Sequence, residues 1–174
     1  MDYFLRSPRL GFRCWSEADL PLGMNIWGDP EMTVFTGGPF EPETVRARLL
    51  REIAHMKEHG MQYWPVFLLD GDRQVGCAGL RIYDEHARIF ELGYYVLRAF
   101  WGKGLAQEAA RAVIDYGFKA LGANSLFAGH HPLNQASRKV LLGVGFTYAG
   151  EAVYPPTGIL EPTYRLGKLQ YHSS

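Results

Sequence analysis

Residues 101–106, which read Trp-Gly-Lys-Gly-Leu-Ala, form a glycine-rich turn between a strand-like segment at 91–97 and a long amphipathic segment at 105–121. At a helix start the first N–H groups lack partners within the helix, and the helix dipole adds partial positive charge. Gly102 and Gly104 carry no Cβ, so a phosphate can approach their main chain closely. The turn therefore predicts an anion site, and the anion we expect is a pyrophosphate.

The distribution of apolar residues predicts the elements that position this turn. Alternation of apolar and polar residues is typical of strands, and apolar residues repeated every three or four positions are typical of helices. Asp70-Gly71-Asp72 indicates a tight hairpin between two strands, because glycine adopts the positive φ that such turns need. The predicted strands are 10–15, 63–69, 74–83, 87–97, 125–129, 146–153 and 163–169, and the predicted helices are one beginning at Ser16, 42–59, 103–121 and 134–144.

The order of these elements predicts an α/β (α+β) fold. Three consecutive strands joined by short turns pair antiparallel, whereas helices join only some of the others. We therefore expect a mixed, mostly antiparallel, splayed sheet of six to seven strands with helices on both faces. A gap in the sheet beside the glycine-rich turn would admit a long, thin ligand. Residues 1–174 are expected to form a single domain with its core at about 9–168.

Composition excludes several function classes. The 174 residues carry 18 basic and 18 acidic side chains, so bulk charge gives no support for nucleic-acid binding. No apolar segment approaches the about 18 residues that span a membrane, and the first residues do not resemble a signal peptide. We interpret Cys14 and Cys77 as buried thiols in a reducing compartment, which predicts a cytoplasmic protein.

Three motifs together resemble the GNAT acetyltransferases, and in particular their RimJ/RimL-type branch. Residues 101–106 fit the signature Gln/Arg-x-x-Gly-x-Gly/Ala at Gly104 and Ala106, although Trp101 replaces Gln/Arg. Asn134-Gln-Ala-Ser137 then precedes a helix that ends in Gly145-Phe146, as in that branch. The resemblance extends over nearly the whole chain, from about residue 9 to residue 168.

The resemblance implies acetyl-CoA as the donor, no metal, and an amine acceptor. Main-chain N–H groups of the turn would hold the pyrophosphate, and the edge of the preceding strand would bond the pantetheine arm as an added strand does. Asn134 would contact the same arm, and Lys139, like Arg138, could reach a phosphate. The implied cofactor-binding residues are Tyr95, Val96, Leu97, Trp101, Gly102, Lys103, Gly104, Leu105, Ala106, Asn134 and Lys139.

Acetyl transfer to an amine needs a neutral amine, a stabilised oxyanion and a protonated leaving thiolate. Glu91 corresponds in position to the general-base glutamate of histone-type GNAT enzymes, and a solvated or salt-bridged carboxylate is the alternative. Ser137 matches the serine that RimL-type enzymes are thought to use to protonate the thiolate; a serine bonded to local backbone is the alternative. Tyr148 or Tyr154 could replace it. An N–H near Val96 or Leu97 would meet the oxyanion.

The acceptor site is expected among aromatic residues of loops, where ordinary packing is the competing explanation. The acceptor is a protein N-terminal amine or a small-molecule amine, and a homodimer is possible. The expected lining is Trp27, Phe35, the 36–40 loop, Tyr83 and the 154–156 loop.

Other readings of the sequence compete with this one. His55-Met-Lys-Glu58-His59 matches an inverted zinc-protease pattern, but a third ligand is missing from the sequence nearby. His130-His131 could be a metal or acid–base pair, and the two glycines of the turn could suggest a dinucleotide fold, which antiparallel hairpins disfavour. A non-catalytic acyl-CoA-binding sensor or partner module remains the alternative function. Cys77 is a poor nucleophile candidate, so we expect direct transfer in a ternary complex.

Overall fold

The computed structural model describes residues 2–172 and contains one eight-stranded sheet. Its strands are β1 (Leu5–Arg6), β2 (Leu10–Phe12), β3 (Tyr63–Leu68), β4 (Gln74–Asp84), β5 (Ile89–Val96), β6 (Ser125–Gly129), β7 (Thr147–Tyr154) and β8 (Ile159–Gly167). Their spatial order is β1-β2-β3-β4-β5-β6-β8-β7. Every neighbouring pair is antiparallel except β5 and β6, which are parallel. The predicted fold class is confirmed.

The helices are α1 (Leu20–Trp27), α2 (Pro30–Thr33), α3 (Pro42–His59), α4 (Leu105–Lys119), α5 (Gln135–Gly143) and α6 (Lys168–His172), with single 3-10 turns at Glu17–Asp19 and Arg98–Phe100. The prediction of helix 42–59 is confirmed. The helix predicted from about residue 103 is present as α4, which begins at Leu105 because Gly104 is left-handed with φ of 73° and only precedes the helix. The predicted start at Ser16 is a 3-10 turn, whose capping box joins Ser16 and Asp19.

The predicted count of six to seven strands is too low by the short strand β1. Two residues give no alternating pattern, and β1 exists because Leu5 and Arg6 pair with Phe12 and Gly11 of β2. The predicted helix at 134–144 is confirmed as α5, with Asn134 as its N-cap.

Side chains alternate between the two faces of the sheet, and each face has its own core. On the face covered by α4 and α5, here the α4 face, Tyr94 and Val96 pack with the larger core cluster. On the face covered by α1 and α3, here the α3 face, Tyr95 packs with the cluster that contains Trp27 and Cys77. Neighbouring residues of β5 therefore face opposite sides of the molecule.

The sheet splays between β5 and β6. These strands pair only where Ile89, Phe90 and Glu91 lie opposite Ser125, Leu126 and Phe127. Beyond Glu91, β5 continues to Val96 without a partner on that side. The expected gap is thus present, and its open end lies next to the glycine-rich turn.

The two cysteines differ in environment. Cys77 is buried as predicted, but Cys14 is exposed, so the prediction of a buried thiol is wrong there. Cys14 follows the end of β2, where the alternation that suggested burial no longer applies. Among residues 2–172, no helix has both the length and the apolar character needed to cross a membrane.

Candidate active site

The glycine-rich turn presents a run of unpaired main-chain N–H groups. Gly102 and Gly104 are both left-handed, with φ of 73°. Within the described part of the chain, the N–H groups of residues 102–107 donate no hydrogen bond. A Cβ at Gly102 would meet nothing within 4 Å, so the main chain is open there. Six adjacent donors at the start of α4 can cradle a phosphate or pyrophosphate.

Arg9 fixes this turn from a distant part of the chain. Its guanidinium donates to the Lys103 carbonyl at 3.0 Å and pairs with Glu108 in the first turn of α4, at 2.6 Å. Glu108 also accepts hydrogen bonds from the Ser7 hydroxyl and the Arg9 main-chain N–H. Burial raises the pKa of the Glu108 carboxyl, but these bonds outweigh burial and leave it below the usual value. Glu108 therefore anchors the β1–β2 turn to the cradle.

The free edge of β5 leads from the cradle into the gap. The Leu97 N–H donates to the Val75 carbonyl on β4, so the main-chain groups of Val96 point to the opposite side, toward the gap. The indole of Trp101 donates to the Val96 carbonyl at 2.6 Å. Trp101 is thus positioned at the entrance of the gap, and its side chain contributes a contact that a main-chain cradle does not require.

Glu91 lies at the last position where β5 pairs with β6. Arg81 is its cross-strand neighbour on β4. Burial raises the pKa of the Glu91 carboxyl, while the positive charge of Arg81 opposes this rise. No described residue donates a hydrogen bond to this carboxylate or pairs with it within 4 Å. A half-buried carboxylate with a raised pKa and unoccupied oxygens has the properties of a general base.

The surroundings of Glu91 are held by an ion pair and a close ring contact. Glu52 of α3, which is 2% exposed, bonds the Arg81 guanidinium and also accepts the Tyr63 N–H at 2.9 Å. The Tyr63 ring lies against β5 at Gly93, where a Cβ would come within 2.2 Å of the Tyr63 hydroxyl oxygen. Only glycine allows this contact, which places Tyr63 beside Glu91.

Ser137 lies in the first turn of α5 and contacts β5 from the α4 face. Its N–H donates to the Asn134 side chain at 3.0 Å, which is the N-cap contact of α5. Its hydroxyl lies 2.9 Å from the hydroxyl of Tyr94. The local-backbone alternative therefore does not describe the Ser137 hydroxyl. Burial raises the pKa of Tyr94, so its phenol stays protonated.

The predicted cofactor residues do not all come together. Residues 101–106 and Val96 lie along one route, from the cradle into the gap, and Asn134 is the N-cap of α5. Lys139 and Arg138 are exposed on α5, and neither side chain bonds to another described residue. Tyr95 belongs to the α3 face, so its side chain faces away from this route.

The loops expected to form the acceptor site do approach one another. Phe35 stacks on His131 with ring centroids 4.8 Å apart, and a Cβ on Gly37 would lie 3.7 Å from Thr157 and 3.8 Å from Pro156. Tyr83 stacks on Phe127 at 4.1 Å, next to Glu91. Trp27 is fully buried, so it packs in the core of the α3 face and does not line an open surface.

The competing motifs have structural explanations. His55 bonds the Met61 carbonyl at 2.8 Å, and its ring lies 4.7 Å from His59. His130 is buried between the Tyr164 hydroxyl and the His131 carbonyl. In the part of the chain that the structure describes, no cluster of three or more potential metal ligands is present.

Burial raises the pKa of Cys77 to about 12, which leaves it a protonated and unreactive thiol at neutral pH.

Three residues of the site were missed from the sequence. Tyr94 shares a hydrogen bond with Ser137, Arg9 flanks the cradle, and Glu161 of β8 is 7% exposed and has its pKa raised by burial and by the charge of Glu91. Strand alternation could have assigned Tyr94 to the face opposite Tyr95. No local signal identifies Arg9 or Glu161, because both act through long-range contacts.

Comparison with known proteins agrees with this geometry. The acetyltransferase (GNAT) domain family matches residues 9–147. The "Uncharacterized N-acetyltransferase p20" of Bacillus licheniformis is 30% identical over 148 residues, which covers 84% of this chain and 83% of that protein. An acetyltransferase (GNAT family) structure from Bacillus anthracis is similar with a TM-score of 0.82 and 23% identity, covering 94% of this chain and 97% of that one.

A second solved structure shares the fold at lower identity. RimL, described as a ribosomal L7/L12 alpha-N-protein acetyltransferase in complex with coenzyme A, has a TM-score of 0.80 and 16% identity, covering 92% of this chain and 95% of that one. The family match over most of the chain, the p20 relative and the splayed sheet with its open cradle give one conclusion. The chain belongs to the GNAT family of acetyl-CoA-dependent N-acetyltransferases.

Proposed function

We propose that this enzyme transfers the acetyl group of acetyl-CoA directly to a primary amine in a ternary complex, and that residues 1–174 form a single catalytic domain with its core at about 9–168. The observation that carries the proposal is the continuous route from the free N–H groups of residues 102–107, along the open edge of β5, to Glu91. A long ligand with an anionic head and an extended tail fits that route.

The proposed catalytic residues act from opposite faces of the sheet. Acetyl-CoA supplies an acetyl thioester with a good leaving group. Glu91 on the α3 face takes a proton from the amine, directly or through a water, so that nitrogen can form the new C–N bond. As the C–S bond breaks, the Ser137 hydroxyl on the α4 face gives its proton to the departing sulfur and regains one from solvent, and Tyr94 orients that hydroxyl. The Val96 N–H, which points into the gap, stabilises the oxyanion.

The acceptor approaches from the α3 face. Glu91 and Glu161 place negative charge there, which favours a cationic amine before it is deprotonated. The exposed thiol of Cys14 and the buried thiol of Cys77 are both unpaired, which favours a reducing compartment. We therefore assign the reaction to the cytoplasm.

The cradle is tested by calorimetry with acetyl-CoA on two matched variants, Gly102→Asn and Gly102→Asp. Asn and Asp tolerate the left-handed conformation about equally, so the pair differs mainly in a negative charge facing the pyrophosphate. We expect Gly102→Asp to bind at least about 10-fold more weakly than Gly102→Asn. Equal affinity for the two variants would contradict the assignment of the cradle.

Turnover is tested by thiol release from acetyl-CoA with peptide N-termini, polyamines and aminoglycosides as acceptors. Amine-dependent release that falls strongly in Glu91→Gln supports the proposed transferase. Tight binding of acetyl-CoA without release on any of these amines would instead favour the sensor module.

A further inference from the structure

Arg48 of α3 has a guanidinium whose hydrogen-bonding capacity is unused. Its side chain is 15% exposed and stacks over the Trp27 ring, with 4.4 Å from Cζ to the ring centroid. Its distance to the Tyr95 ring centroid is 5.6 Å. Among residues 2–172 this guanidinium finds no hydrogen-bond acceptor, and its Nε is buried without a partner. Of the five donors of this guanidinium, the Nε–H is buried, whereas the Nη groups are not and are available to a ligand.

The nearest carboxylate cannot account for Arg48. Glu52 Oε1 lies 4.0 Å from Arg48 Nε, beyond hydrogen-bonding distance. That oxygen already pairs with Arg81, and the other oxygen accepts the Tyr63 N–H. One carboxylate therefore faces two guanidiniums, and Arg48 keeps most of its capacity to bind another anion.

Arg48 lines a small cavity that is rich in donors. The cavity encloses about 60 Å³, more than the about 15 Å³ that one water needs, and it can hold a carboxylate group. Trp27, fully buried, also lines it, and its indole N–H has no partner among the described residues. No acidic side chain lines the cavity, whose lining is Trp27, Phe40, Thr44, Val45, Arg48 and Arg51.

The cavity lies on the same face as Glu91. Arg48 contacts Tyr95, and Tyr95 is four residues after Glu91 on the same side of β5. Four residues of a strand span about 13 Å, a distance that a short extended ligand can bridge. One ligand could therefore place an amine at Glu91 and an anionic group at Arg48.

We propose that the acceptor is an amine that carries a carboxylate at its far end, and that the Arg48 guanidinium holds this carboxylate. The proposal rests on the proposed transferase function and names the substrate class of that site. The planar fork of Arg48 matches the two oxygens of a carboxylate, which lysine would not do. Bare alkyl amines, by contrast, would leave these donors unpaired.

The test compares a series of ω-amino carboxylates of increasing chain length with their carboxamides, which differ only in charge at the far end. On the unaltered enzyme we expect a KM about 10- to 100-fold lower for the best carboxylate than for its amide. Arg48→Gln should remove this preference by raising the KM of the carboxylate far more than the KM of the amide, and a urea titration of the variant reports whether it is folded. Arg48→Lys should restore part of the preference.

Arg46→Gln is the matched control, because Arg46 is an exposed arginine of the same helix, outside the cavity lining. It should keep the full preference for carboxylates. Equal KM values for acid and amide on the unaltered enzyme, or a preference that survives Arg48→Gln, would overturn the proposal.

Failure of this inference can be separated from failure of the transferase assignment. If no member of the series is acetylated, calorimetry with glutarate as the probe tests the anion site. Binding of glutarate that is lost in Arg48→Gln supports the site. No binding of glutarate to the unaltered enzyme overturns it. Thiol release with other amines then judges the transferase assignment independently.

Discussion

The hydroxyl of Tyr94 and the hydroxyl of Ser137 lie 2.9 Å apart, and this contact joins β5 to the first turn of α5. Tyr94 also donates to the Ser137 carbonyl at 3.1 Å. The two contacts fix the position of the Ser137 hydroxyl beside the Tyr94 hydroxyl. The proton donor that we propose for the leaving sulfur therefore lies on the side of the sheet opposite Glu91.

Replacing Ser137 should slow the chemical step without weakening cofactor binding. We expect Ser137→Ala to lower kcat about 100-fold, the usual contribution of a general acid, while the Kd for acetyl-CoA changes little. Tyr94→Phe keeps the ring and should lower kcat less, because Tyr94 orients the donor. A large loss in Tyr94→Phe with unchanged kcat in Ser137→Ala would assign the proton donor to the tyrosine instead.

The acid limb of the pH–rate profile should report Glu91. A base must be ionised, so kcat/KM should rise with pH to a plateau, with a midpoint above the ordinary glutamate pKa because burial raises the pKa of Glu91. Glu91→Gln should lose this limb and about 100-fold in rate near neutral pH. The loss should shrink at alkaline pH, where the amine is neutral without help. Thiol-release assays at a series of pH values measure both the acid limb and the loss of rate.

Arg81 offers a matched test of the same assignment. Its positive charge opposes the rise in the pKa of Glu91, so Arg81→Gln should move the acid limb to higher pH. Arg81→Lys keeps the charge and should move it less. A pH–rate profile whose acid limb does not shift in Arg81→Gln would show that a group other than Glu91 controls that limb.

The same carboxylate should make the fold less stable at neutral pH. The pKa of Glu91 is raised in the folded state, so its stabilising contribution is full below the unfolded-state pKa and falls as pH rises through the folded-state value. Glu91→Gln should therefore unfold at higher urea concentration than the unaltered protein at pH 7, and the difference should shrink as pH falls. Glu85→Gln, at an exposed turn, serves as control. An unchanged or lower midpoint for Glu91→Gln would contradict burial as the cause.

The regular elements followed from local patterns. Helix 42–59 was predictable because its apolar spacing ends at Gly60, which takes a left-handed conformation with φ of 68° and caps the helix. The cradle was predictable for a similar reason, since Gly102 and Gly104 mark a left-handed turn before a helix. Such features depend on residues within a few positions of one another, so a single sequence contains their signal.

The contacts that build the site were not predictable in this way. Arg9 and Glu108 are 99 residues apart, and their pairing depends on β2 lying beside the start of α4. In the sequence, Arg48 is one of several charged residues of an amphipathic helix. Only the packing of α3 on α1 places it over Trp27. The roles of such residues arise from tertiary structure, for which the local sequence has no marker.

Trp101 should report occupation of the cleft. It is 55% exposed, whereas Trp15, Trp27 and Trp64 are at most 5% exposed, so a ligand at the entrance of the gap changes mainly the Trp101 environment. Acetyl-CoA should shift or quench the tryptophan emission, because a bound pantetheine arm competes for the Val96 carbonyl that now accepts the indole N–H. Trp101→Phe should bind about as tightly by calorimetry but lose the signal. An undiminished signal in that variant would remove Trp101 from the entrance.

The anchor between Glu108 and the β1–β2 turn should contribute to stability and to cofactor affinity together. Glu108→Gln loses charge-assisted bonds to Ser7 and Arg9 and should lower the free energy of unfolding by about 1–3 kcal/mol in urea titrations. Since the pKa of Glu108 is lowered in the fold, this contribution is present above the ordinary glutamate pKa and is lost as pH falls through the folded-state value.

Glu43→Gln is the matched control for this anchor, because Glu43 is also an acidic residue in the first turn of a helix but is exposed. It shares the favourable interaction with the helix dipole, so it should cost less than about 1 kcal/mol. Equal losses in the two variants would reduce the role of Glu108 to that dipole. A larger loss in Glu108→Gln, accompanied by weaker binding of acetyl-CoA, would show that the Arg9 contact to the Lys103 carbonyl holds the cradle in its binding conformation.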